Sequence, residues 1–239
     1  MKFIGHLDVM RYFQKAIRRA DVDVCYSGGF SPHQIMSFAA PLGVGNTSNG
    51  EYVDIEVSST KDSETMKKCL NGVMSEGFEV VSYRGLPDDA ANAMSIVGAG
   101  DYTLAFRPGY EPEDMDKETW FQGLIAFFER PSVMVTKKTK RGDKEMDLKP
   151  LVYELRICPE GDGEMEGPRL FMKISAGSAA NVKPEQVLDA YYGFLGKQRP
   201  PFAFMVQRDE VYADRASDAE KEAGIHSFIS LEQLGEEIR

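Results

Sequence analysis

Apolar residues recur along this chain at two different periods, and the switches between them mark out its elements. Met10, Phe13, Ile17 and Ala20 return at helical spacing, which predicts a helix over 8–20 opened by Asp8. Arg11, Lys15, Arg18 and Arg19 share one face of that helix. A short strand is expected over 22–26 and a further one over 34–40, followed by a polar turn at 43–50. Over 51–57 the pattern changes to strict alternation. Val53, Ile55 and Val57 lie on one side, and Tyr52, Asp54 and Glu56 on the other, as in a half-buried strand. Helical spacing resumes at Met66, Leu70, Val73 and Met74, and Gly77 stops this second helix. A strand over 78–83 completes the series.

The same order then returns. A strand over 101–107 precedes a helix over 118–129, whose apolar side holds Trp120, Phe121, Leu124, Ile125 and Phe128. A strand over 132–138, a charged turn and a strand region over 144–157 broken by Pro150 come next. Asp147 and Lys149 alternate onto one face of that region, a spacing that suits an ion pair. A strand over 169–175, a helix over 183–195 with Pro184 in its first turn, and a strand over 204–212 finish the repeat. Strand, helix, two strands, helix, strand is the ferredoxin-like plan. The chain is therefore expected to be α+β, with tandem ferredoxin-like lobes: antiparallel sheets with helices on one face. Residues 1–86 form the first lobe, 87–100 a linker, 101–213 the second lobe and 214–239 a charged tail. Met1 to Ile4 is short for a strand, so the first lobe is expected to lack most of its first strand.

Composition narrows the chemistry. Asp and Glu number 38 against 28 Lys and Arg, so any contact with nucleic acid has to use local basic patches. Cys25, Cys69 and Cys158 are far apart and form no metal-ligand spacing, and His6, His33 and His226 do not cluster with them. No metal or cofactor is expected. The sequence holds no apolar run long enough for a membrane span, and its start has no signal-peptide core, so a cytoplasmic protein is expected. Walker, GxGxxG and Ser-His-Asp signatures do not appear.

The most specified stretch runs from Cys25 to Pro41. Gly28 and Gly29 free the backbone, Pro32 restricts it, and Tyr26, Ser27, Phe30, Ser31 and His33 decorate it. His33 would meet His6 and Asp8 if this loop folds back on the helix start, which makes His6 and His33 candidate acid–base groups. A second candidate region is the basic run 137–144. There Lys138, Lys140, Arg141 and Lys144 surround a Gly142-Asp143 hairpin tip suited to phosphates.

Phe3 to Arg11, Ala16 to Ala20, Tyr26 to His33, Ser37 to Gly45 and Gly50 to Glu56 resemble the radical SAM-linked protein family. The resemblance continues at 144–150 and 181–188 and covers about residues 1–213. These are bacterial domains of unknown function, alone or attached to radical SAM proteins, and members commonly carry a longer first strand before Phe3. The resemblance implies a radical SAM partner. Two ferredoxin-like lobes with a basic helix also look like the architecture of CRISPR RNA-processing proteins, an analogy of fold alone.

Three readings follow. In the first, the chain is an RNA-binding or RNA-modification accessory of a radical SAM enzyme. Arg11, Lys15, Arg18, Arg19, Lys138, Lys140, Arg141 and Lys144 hold phosphates, while Tyr26, Ser27 and Phe30 receive a base beside His33. In the second, it docks on that partner without nucleic acid. In the third, it is an RNA-processing nuclease using His6 or His33. The oligomeric state stays open.

Overall fold

A computed structural model describes residues 3–139, 142–161, 165–177 and 180–239. The architecture is α+β, as the two hydrophobic periods require.

The second lobe carries the main sheet. Strand β4 (Val97–Phe106) leads into helix α4 (Lys117–Phe128). A hairpin of β5 (Met134–Thr139) and β6 (Gly142–Asp147) follows, then β7 (Val152–Gly161) and β8 (Gly167–Ser175). Helix α5 (Pro184–Phe194) and strand β9 (Phe204–Asp214) close the unit. Leaving the hairpin aside, the strands lie side by side in the order β9-β4-β8-β7, every neighbour antiparallel. That is fourth, first, third, second, the ferredoxin-like arrangement. Both helices cover one face. Phe121 and Leu124 of α4 and Val187 and Leu188 of α5 are fully buried with Leu104, Leu170 and Met172 of the sheet. Asp116 caps α4 by accepting the Thr119 N–H at 2.8 Å.

Asp147 and Lys149 do not pair as their spacing suggested. A tight turn over Lys149–Leu151 intervenes. Asp147 Oδ1 accepts the backbone N–H groups of Val133 and Lys149, and the Lys149 ammonium donates to the Phe128 carbonyl.

The first lobe holds only part of the plan. Helix α1 (His6–Arg19) and helix α2 (Ser63–Asn71) pack on a two-stranded sheet of β1 (Met36–Phe38) and β3 (Val53–Ile55). Single bridges at Val24–Val57 and Tyr26–Gln34 extend it. Ile17, Val22, Val24, Met66 and Leu70 make its core. Among the described residues no strand precedes α1. Residues 78–83 join no ladder, contrary to the expected strand. Asn71 takes the place of a neighbouring strand, its amide bonding both the N–H and the C=O of Val80 at 2.8 Å.

Three stretches depart from the sequence reading because their partners are remote. The turn at 43–50 contains β2 (Thr47–Ser48), which pairs parallel with Gln207 and Arg208. Gly50 makes this approach possible, since a Cβ there would lie 2.6 Å from the Asp209 carbonyl oxygen. The expected linker holds helix α3 (Ala93–Ile96) and the first residues of β4. The expected tail holds helix α6 (Asp218–Glu222) and strand β10 (Phe228–Ser230), which adds to β9. Its end returns to the first lobe, where Glu236 bridges Gly85 and the Ile238 carbonyl accepts the Ser63 N–H. No described helix is long and apolar enough to cross a membrane.

Candidate functional site

The loop singled out in the sequence is a short hairpin closed by main-chain bonds. Ser27 N–H donates to the His33 carbonyl and Ile35 N–H to the Cys25 carbonyl, both at 2.9 Å. Inside it the Ser27 hydroxyl accepts the His33 N–H at 3.1 Å and lies 2.8 Å from His33 Nδ1. Gly29 turns the tip at φ +100°, in the left-handed region. The consequence is exposure: Phe30 lies fully in solvent and Tyr26 is 51% exposed. The loop thus carries two exposed aromatic rings on a backbone held by hydrogen bonds.

Helix α1 presents its bases unequally. Arg11 reaches back to Asp8 at 3.4 Å, an exposed pair of little energetic weight. Lys15 is exposed. Arg18 Nε donates to its own helix at the Gln14 carbonyl. Arg19 is committed elsewhere, donating to the Val73 carbonyl at the end of α2. Arg11 and Lys15 are thus the bases least tied to the fold. Lys138 and Lys144 occupy facing strands of the β5–β6 hairpin, Lys138 opposite Asp143 and Lys144 opposite Lys137. Lys140 and Arg141 lie outside the described residues.

His6 is not joined to His33. Its ring packs edge-on against Phe38, centroids 5.6 Å apart, and no hydrogen bond or ring contact links the two histidines. Among the described residues no group of three His, Cys, Asp or Glu side chains is arranged to hold a metal ion.

A second constellation escaped the sequence reading. Asp101 of β4 and Lys173 of β8 are cross-strand neighbours, with Nζ 3.6 Å from Oδ1. Tyr212 of β9 donates its hydroxyl to Asp101 Oδ2 at 2.7 Å, and the Lys173 ammonium lies 4.1 Å from the centre of the Tyr212 ring. The C-terminal segment covers this group. Phe228 stacks on His226 at 5.2 Å, and His226 Nδ1 meets Asp214 Oδ2 at 2.7 Å. Burial raises the Asp101 pKa above the ordinary carboxylate value, against the pull of Tyr212 and Lys173. Asp214 goes the other way. Burial opposes its ionisation, but hydrogen bonds from His226 and from the Ser227 and Ala216 N–H groups outweigh it and hold the carboxyl below its usual range. Positions 72 and 111 residues beyond Asp101 complete the group, and no local pattern announces such a spacing.

Residues 1–184 match the model of a bacterial family, DUF2344, described as an uncharacterized protein conserved in bacteria. The chain belongs to this family. No curated protein matches the chain. The DUF2344 match takes in the loop, α1, the basic hairpin and Asp101 with Lys173, and it stops at Pro184, the first residue of α5. Tyr212, Asp214 and His226 lie beyond the DUF2344 span, so the polar cluster joins residues from inside and outside it.

Proposed function

We propose that this DUF2344 protein binds single-stranded RNA and acts as an accessory to a radical SAM enzyme. The observation that carries the reading is the 26–33 loop, whose Phe30 and Tyr26 rings are exposed while Ser27 and His33 fix the backbone between them. Unpaired bases stack on such rings with little regard for sequence. Arg11 and Lys15, with Arg18, supply phosphate contacts, and the basic hairpin adds more. The radical SAM partner rests on the resemblance of residues 3–11, 26–33, 37–45 and 50–56 to radical SAM-linked proteins. Accessory is the operative word. Among the described residues His6 packs on Phe38 and His33 bonds Ser27, an arrangement that favours an accessory role over hydrolysis.

Fluorescence anisotropy with a mixed single-stranded RNA pool, at low and moderate salt, tests this reading. Binding is expected at low salt, with a steep loss on adding salt. Phe30→Ala is expected to weaken it by about 1–3 kcal/mol without changing the salt slope. The double variant Arg11→Glu, Arg18→Glu is expected to weaken it and flatten the slope. Binding that is absent at low salt, or equal in all three proteins, overturns the proposal. A second reading, docking on the enzyme without RNA, is favoured by the exposure of Phe3, Leu7 and Val44 in the same lobe. It is the reading that survives if RNA does not bind.

A further inference from the structure

The β5–β6 hairpin stands beside the main sheet, and among the described residues β5 pairs with β6 alone. The register tells which of its backbone groups are free. Val133 accepts the Leu148 N–H, and the pairing continues Met134 opposite Asp147 and Val135 opposite Met146. Hydrogen-bonded and outward-facing positions alternate in an antiparallel pair. Val133, Val135 and Lys137 therefore bond across to β6, and Met134 and Thr136 turn their N–H and C=O groups away from it. They turn them towards a groove of about 530 Å³ whose far wall is α5. Small residues on that wall, Ala190 and Gly193, leave it wide, and a Cβ on Gly193 would meet nothing within 4 Å.

An unpaired strand edge is a template for another strand. The side chains around this one set the chemistry of what fits. Met134 is 58% exposed and Phe194 50%, so the groove offers apolar contacts to alternate side chains of an extended segment. Its free charge is positive. Arg130 lies over the Phe194 ring at 4.1 Å and the Phe127 ring at 5.2 Å, with no carboxylate partner among the described residues. Asp189, the acid in the lining, is already held by Arg199 at 2.7 Å. The strand itself continues into Lys137 and Lys138. A second copy of the chain is the wrong occupant, because β5 against β5 sets lysines together and supplies no acid for Arg130.

We propose that the free edge of β5 takes up an extended, acidic segment of a partner protein as a third strand, bonded to Met134 and Thr136 and seated against α5. This goes beyond RNA binding and does not depend on it. Strand addition of this kind draws affinity from main-chain bonds and specificity from alternate side chains.

The test uses the full chain, isotope-labelled for amide spectra, and a blocked heptapeptide of sequence Glu-Val-Thr-Val-Glu-Val-Thr. Saturable shifts at the Met134 and Thr136 amides are expected, with lesser ones at Gly193 and Phe194. N-methylation of alternate peptide amides should abolish them. Arg130→Glu is expected to weaken binding by about tenfold. Gly193→Tyr fills the groove from a position with open space, so binding is lost while the melting temperature holds. Shifts confined to other residues, or equal binding of the N-methylated peptide, overturn the proposal. So does concentration-dependent dimerisation that shifts the same amides without peptide, which assigns the edge to a second copy. If the RNA pool shifts these amides and the peptide does not, the edge belongs to nucleic acid and the proposal fails while the RNA reading stands.

Discussion

Gly28 and Gly29 are adjacent in the sequence and face the same open solvent, yet they do different work. A Cβ on either meets nothing within 4 Å, so space does not separate them. Backbone conformation does, since Gly29 alone has a left-handed φ, +100°. Gly29→Ala is therefore expected to cost about 1–2 kcal/mol, and Gly28→Ala less than about 0.5 kcal/mol, in urea denaturation. Equal effects would remove the special role of the tip. Asp101 and Asp214 make a second pair with opposite behaviour. The native state raises the Asp101 pKa, so it binds a proton more tightly than the unfolded chain. The contribution of Asp101 is then complete below its unfolded value of 3.8 and declines as pH rises through the native value. The native state lowers the Asp214 pKa, so its contribution is present above 3.8 and is lost as pH falls through the native value. Stability measured from pH 3 to 7 should show the cost of Asp214→Asn growing with pH and the cost of Asp101→Asn shrinking. Parallel trends would contradict the assignment of the two environments.

Elements whose stability is local were legible; elements held by distant partners were not. Helix α4 shows in the sequence because Trp120, Phe121, Leu124 and Phe128 repeat at helical spacing. Strands β4, β8 and β9 show for the same kind of reason. Strand β2 does not show, since Thr47 and Ser48 look like a turn until Gln207 and Arg208 are beside them. Segment 78–83 misleads in the opposite sense. It reads as a strand in the sequence, but its neighbour is an amide side chain at the end of α2. Of the candidate site, the pinned loop was readable from its glycines and proline. The edge of β5 and the Asp101 cluster were not, because both are products of register. The α2 contact gives the prediction at this scale. Asn71→Ala strips the Val80 N–H and C=O of two 2.8 Å bonds at once. A loss of about 1–3 kcal/mol is expected, together with faster hydrogen exchange at Val80. An unchanged exchange rate would show that water replaces the amide without cost.

At the scale of the whole molecule the question is what couples the first lobe to the sheet, and the answer is centred on Arg208. This residue of β9 is 5% exposed. Its Nη1 donates at 3.0 Å to the Ala40 carbonyl and to both oxygens of Glu51, and its Nη2 donates to the Pro41 carbonyl at 3.2 Å. One guanidinium thus ties both ends of the 40–51 crossover, whose middle pairs with β9 as β2. Burial pushes the Glu51 pKa up, and the Arg208 charge works against that. The pair is therefore costly to assemble and more costly to break. Arg208→Met leaves the part-exposed Glu51 carboxylate and the Ala40 and Pro41 carbonyls without the guanidinium, for which about 1–3 kcal/mol of destabilisation is expected. Adding Glu51→Leu removes the stranded charge and should recover part of the loss. It cannot recover all of it, because the Ala40 and Pro41 carbonyls still lack the guanidinium. A double-mutant cycle in urea measures the coupling directly. If the two single variants simply add, Glu51 and Arg208 do not act as a unit, and the first lobe is held to the sheet by the β2 ladder and the returning C-terminal strand instead.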